Sequence, residues 1–107
     1  MSSSNYQLIS EAIHMRHPLQ IRFGKYIRSI CPHAIGTKEG VPVVLAVQFG
    51  GGGSEGVVTP EHPQWLCMPL YGISAIEPEQ GGWHDGDPST RPDDWANVIL
   101  EDLDPEN

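Results

Sequence analysis

Between Leu19 and Phe23 apolar and polar residues alternate strictly: Leu19, Ile21 and Phe23 fall on one side, Gln20 and Arg22 on the other. A period of two belongs to a strand with one buried face. The run Tyr26 to Cys31 reads as a second strand, stopped at Pro32-His33. Gly24-Lys25 between them suits a two-residue hairpin, in which glycine takes the positive φ. Upstream the period changes. Leu8, Ile9, Ala12 and Ile13 recur at helical spacing, which predicts a helix over Tyr6–Arg16, with Asn5 as N-cap and Pro18 stopping it. This helix should cover one open end of a sheet.

Downstream, Thr37 to Gly40 reads as a turn and Val41 to Phe49 as a strand buried on both faces, with Pro42 tolerated only near its start. Gly50 to Gly53, with Ser54-Glu55-Gly56, reads as a flexible loop without side chains to pack. Trp65–Leu70 is a fourth strand, and Gly72 permits a bend into a short fifth, Ile73–Glu77. Pro78 to Pro92 is an acidic, Gly/Pro-rich connection. Asp93–Leu103 fits a short helix, with a strand over Ala96–Leu100 as the competing assignment. One helix followed by five short strands suggests a small, strongly bent sheet or partly open barrel.

Composition narrows the setting. The 107 residues suit one small domain, and the 38% apolar content allows a thin core. No apolar run is long enough to span a membrane, and the start lacks the basic head and apolar stretch of a signal peptide. Two cysteines, Cys31 and Cys67, are too few for a disulfide framework. A cytoplasmic protein with buried thiols is expected.

The net charge of −8 argues against general affinity for nucleic acid. Its distribution changes that picture. Ala12 to Lys38 holds five basic residues and no acid, whereas Glu77 to Asn107 holds ten acids and one base, Arg91. The chain thus pairs a cationic first third with an anionic tail.

The pattern Leu19-x-Ile21-x-Phe23, then Arg28-x-Ile30-x-Pro32, Gly40 and the Val43-to-Phe49 strand resembles the WYL domain. Trp65-x-x-Met68-x-Leu70-x-x-Ile73-x-x-Ile76 is similar to the last strands of that family. The resemblance covers Ile9 to Glu77 and is nearest to short, standalone WYL-like proteins. It implies an α+β, mainly β fold: an N-terminal helix packed on a small five-stranded SH3/Sm-like β-barrel over residues 1–77. Residues 78–107 then form an acidic C-terminal extension packed on or tethered to that barrel. It also implies a ligand-sensing or nucleic-acid-binding module, of the kind found in transcription regulation and phage–host conflict. The chain departs from the family at Val43-Val44-Leu45, where only the Leu of the naming tripeptide remains, and at Gly72, where an Arg is frequent.

Arg22, Lys25, Arg28 and His33 are the candidate anion-binding residues, with Tyr26 able to stack on a base. Strand alternation would bring Arg22 and Arg28 to one sheet surface. The competing reading is a solvated face that protects sheet edges. Cys31, His33, His62, Cys67 and His84 are the metal-capable residues, but no tight pair such as C-x₂-C occurs, so no metal is expected. Cys31 and His33 alone do not make a nucleophilic site, and the Gly50–Gly53 run lacks the Gly-Lys-Ser/Thr ending of a phosphate loop. Together with the residues, the WYL-like resemblance implies a non-enzymatic module without cofactor, binding a nucleotide or single-stranded nucleic-acid fragment. The alternative is a protein–protein or assembly module, a homo-oligomer included, that uses the acidic tail and barrel edges. The tail could also fold back and mask the cationic hairpin.

Overall fold

A computed structural model describes residues 2–53 and 56–103, with side chains from residue 5 onward. Ser54 and Glu55 of the expected glycine-rich loop, and residues 104–107 of the acidic extension, lie outside the described residues. The chain begins with α1 (Ser2–Met15) and continues through β1 (Leu19–Phe23), β2 (Tyr26–Lys38), β3 (Val41–Gly53), β4 (Gly56–Val57), β5 (Gln64–Pro69), β6 (Ile73–Pro78) and β7 (Val98–Asp102). A 3₁₀ turn, Leu70–Gly72, joins β5 to β6.

Every pairing is antiparallel, and β2 and β3 are long enough to be shared by two halves of one sheet. In one half the order is β4-β3-β2-β1-β6; in the other, β7 flanks β2 and β5 flanks β3. This corrects the expected five-stranded barrel. The sheet has seven strands and is not closed. Closure would need β5 to pair with β6, but β5 pairs β3 and β6 pairs β1. Side chains occupy the opening instead. Ile9, Ala12 and Ile13 of α1 pack with Ile21, Met68, Leu70 and Ile73 in the main core.

The elements differ from the sequence reading where local rules met tertiary partners. α1 begins before Asn5, whose amide donates to Ile73 O at 2.9 Å instead of capping the helix. Pro32 does not stop β2. It sits at a register shift between Pro32 and Ala34, in the gap left between β1, which reaches Ile30, and β7, which begins at Ala34. A bulge is one of the few sheet positions that tolerate a residue without an N–H. Gly50–Gly53 continues β3 rather than looping out.

The C-terminal segment is part of the same architecture. The competing strand assignment holds near its end, where β7 pairs Ala34–Thr37 of β2. Trp95 is buried against Ala34, Val43 and Leu45 in a second small core. The turn after β2 is clasped by this segment too: Lys38 Nζ donates to Asp94 O at 2.7 Å and Glu39 N to Asn97 Oδ1 at 2.6 Å. Among the described residues no helix is long and apolar enough to cross a membrane.

Candidate ligand-binding site

The β1–β2 hairpin sets the site by register. Arg28 lies opposite Ile21 and Tyr26 opposite Phe23, so these four share the face turned toward the core side. Arg22 lies opposite Ile27, on the other face, and both are exposed. Positive φ at Gly24, with none at Lys25, gives the turn that keeps this register tight.

Arg28 is half-buried between two aromatic rings. Its Cζ stands 5.4 Å from the centroid of Phe23 and 5.4 Å from that of Tyr26. Nη1 donates to Gln48 Oε1 at 3.2 Å. Gln48 is itself buried, and its Nε2 donates to Gly50 O at 2.9 Å and Gly52 O at 3.1 Å. Those bonds fix which end of the amide faces the guanidinium. Arg28 Nε is buried without a hydrogen-bond partner among the described residues. Lys25 Nζ stands 5.7 Å from the Tyr26 centroid, on the same ring.

The glycine tract makes this packing possible. A Cβ on Gly52 would stand 3.0 Å from the Tyr26 ring, and one on Gly51, whose φ is 90°, would run into Ile27 O. A Cβ on Gly72 would stand 2.6 Å from the Phe23 ring. In sequence Gly51 and Gly52 read as part of a flexible loop and Gly72 as a bend. They mark close approach of backbone to side chain.

A guanidinium set against two aromatic rings keeps the Nη hydrogens not given to Gln48 for a planar or tetrahedral anion. Among the described residues no carboxylate pairs with Arg28, Lys25 or Arg22: the ion pairs join His14 to Glu101, His33 to Asp85 and Arg91 to Asp102. Of the tail carboxylates, Asp85, Glu101 and Asp102 make their ion pairs with His33, His14 and Arg91, not with the hairpin cations. Glu79 does reach the hairpin, accepting from Ser29 Oγ at 3.0 Å, and Glu77 lies opposite Gln20 across the β1–β6 pairing.

His33 does not join this group. It is 1% exposed, with Nδ1 at 2.8 Å from Cys31 O. Its ring stacks on Trp83 at 5.1 Å and meets Trp65 edge-on at 5.2 Å, while Nε2 lies 3.8 Å from Asp85 Oδ1. The tail segment around Trp83 thus covers His33. His84 stacks on Phe49 at 4.4 Å and donates its backbone N–H to Cys31 Sγ at 3.3 Å. In sequence Phe49 reads only as the end of a buried strand and His84 only as a metal-capable side chain; nothing in their spacing brings the two rings together.

Burial pushes the Cys31 thiol up to about 11; the His84 N–H works against that, and Asp85 adds to it. Cys31 is thus a protonated thiol at neutral pH rather than a nucleophile. Among the described residues no three His, Cys, Asp or Glu side chains group in a way that could hold a metal ion. Comparison with known protein families, curated proteins and solved structures returns no match for this chain.

Proposed function

We propose that this chain is a non-enzymatic binding module that takes a nucleotide, or a short piece of single-stranded nucleic acid, at Arg28. One observation carries the reading. The Arg28 guanidinium is framed by Phe23 and Tyr26, oriented by Gln48, and has no carboxylate partner among the described residues. Phosphate would take the guanidinium fork, Lys25 would add charge at the rim, and the Tyr26 edge would meet a base. The WYL-like pattern over Ile9–Glu77 points the same way. A net charge of −8 opposes long-range attraction of polyanions, so a small ligand in a local site fits better than a duplex.

The test is a low-salt fluorescence titration with a labelled single-stranded oligonucleotide and, separately, with a nucleoside monophosphate. Saturable binding by wild type, weakened roughly tenfold in Arg28→Ala, is the expected result. Absence of binding to both probes rejects the reading.

An assembly role has its own observation. Val98, Ile99 and Leu100 are each at least half exposed on β7, which among the described residues has a sheet neighbour on one side only. A second copy pairing there would bury them. Sedimentation should then show a dimer that Ile99→Lys dissociates.

A further inference from the structure

The flanks of α1 are treated unequally. On one side Tyr6, Ser10 and His14 reach Glu101 of β7, which covers that flank. On the other, Leu8 is 45% exposed and Met15 is 73% exposed, beside a groove of about 190 Å³. Ala12, Leu19 and Ile76 form the apolar floor of this groove, between the helix and the β1–β6 edge. Engineered cavities of about 150 Å³ hold a benzene ring, so the groove is the right size for one large apolar side chain.

Its mouth is acidic. Glu11 and Glu77 both line it, are exposed, and form no ion pair among the described residues. The His17 ring, also at the groove, is engaged through Nδ1 with Pro18 O at 2.8 Å. We infer that this groove docks a cationic amphipathic peptide segment of a partner protein, one apolar side chain entering between Leu8, Met15 and Ile76 while flanking Lys or Arg residues meet Glu11 and Glu77. An apolar floor with a like-charged rim selects for that pairing of chemistries. The overall charge of −8 steers a basic segment toward the protein and disfavours a second copy or an anionic membrane as occupant. This surface is separate from Arg28 and does not depend on what Arg28 binds.

The probe is a fluorescein-labelled synthetic peptide with leucine and lysine at helical spacing, followed by anisotropy at low salt. Removing both rim charges in Glu11→Gln/Glu77→Gln should weaken binding roughly fivefold or more. Asp93→Asn/Asp94→Asn removes the same charge from an exposed tail site and should change it by less than about twofold. Leu8→Ser and Met15→Ser keep the charge and should each weaken binding at least about threefold, as loss of an apolar anchor does. Both side chains are exposed, so the fold should persist, and circular dichroism checks that. Equal weakening by the two charge variants means a general attraction to acidic surface and overturns the proposal. Binding that ignores Leu8→Ser and Met15→Ser overturns it as well.

Discussion

Arg22 and Arg28 stand on opposite faces of one hairpin, because Arg22 pairs with Ile27 and Arg28 with Ile21. A single ligand therefore cannot take both guanidinium groups from one side. Arg28→Ala should weaken nucleotide binding roughly tenfold, while Arg22→Ala should leave it within about twofold at moderate salt. Arg28→Lys should not rescue, since an ammonium beside Phe23 and Tyr26 is a point charge with no planar fork to offer an anion. Parallel titrations of the three variants check this; equal losses in Arg22→Ala and Arg28→Ala would place the site elsewhere.

Gly51 stands opposite that arginine across the β2–β3 pairing. Its φ of 90° is strained for any L side chain, and an added Cβ would strike Ile27 O. Gly51→Ala should cost about 2 kcal/mol or more in urea unfolding. Gly40→Ala, at a φ of 83° with open space around it, carries the backbone strain without the collision and should cost less. Equal costs would mean that the glycine strand is not packed on β2 as described.

The hairpin was legible because Leu19, Ile21 and Phe23 alternate, and alternation survives any tertiary context that buries one face. Three features were not. Glycines have no hydropathy pattern, so the Gly50–Gly53 end of β3 read as a loop although Arg28 and Ser29 pair with it. Pro32 read as a stop, since a bulge that excuses its missing N–H is set by β3 and by the gap between β1 and β7, not by neighbours in sequence. β7 exposes Val98 and Ile99 alike, so its apolar residues fit a helix face as well as a strand. Around one turn, Lys25 and Arg28 both come against the Tyr26 ring. Arg22 parts from them by strand parity, and His33 by the fold of the tail. Gln48, the orienting residue, gave no signal because its partners Gly50 and Gly52 act through backbone carbonyls.

Acid should loosen the contact between α1 and β7. Partial burial alone would raise the Glu101 carboxyl. Hydrogen bonds from Ser10, Tyr6 and His14, with the charge of His14, outweigh it and hold the pKa below the usual 4.5. A carboxylate depressed on folding stabilises the fold above its unfolded pKa, and that contribution is lost as pH falls through the folded value. Urea midpoints followed from about pH 6 to pH 3 should fall more steeply in wild type than in Glu101→Gln. Superimposable curves would show that Glu101 adds nothing to stability.

Thiol chemistry reports on the tail. Cys67 is exposed, whereas Cys31 is buried with a thiol near 11 under the His84 backbone. At about pH 8 an aromatic disulfide reagent should modify Cys67 in the native protein and Cys31 only on unfolding. Trp83→Ala removes the ring stacked on His33 and should speed modification of Cys31 without altering the rate at Cys67. An unchanged Cys31 rate would mean that Trp83 does not hold the segment in place.

Trp95 decides whether the acidic third is an appendage or part of the domain. It is 5% exposed, packs on Ala34, Val43 and Leu45, and its backbone oxygen lies 3.8 Å from Cys67 Sγ. Those partners come from β2 and β3, the strands shared by both halves of the sheet. Removing the indole should therefore unsettle the whole sheet rather than release a tail. Large-to-small changes of a buried aromatic cost about 3–5 kcal/mol, which is a large share of the roughly 5–15 kcal/mol that holds a small domain. Trp95→Ala should lower the urea midpoint in one cooperative transition seen equally by far-UV circular dichroism and by the remaining tryptophans. Two separate transitions, or a loss below about 1 kcal/mol, would show that the C-terminal segment folds apart from the sheet.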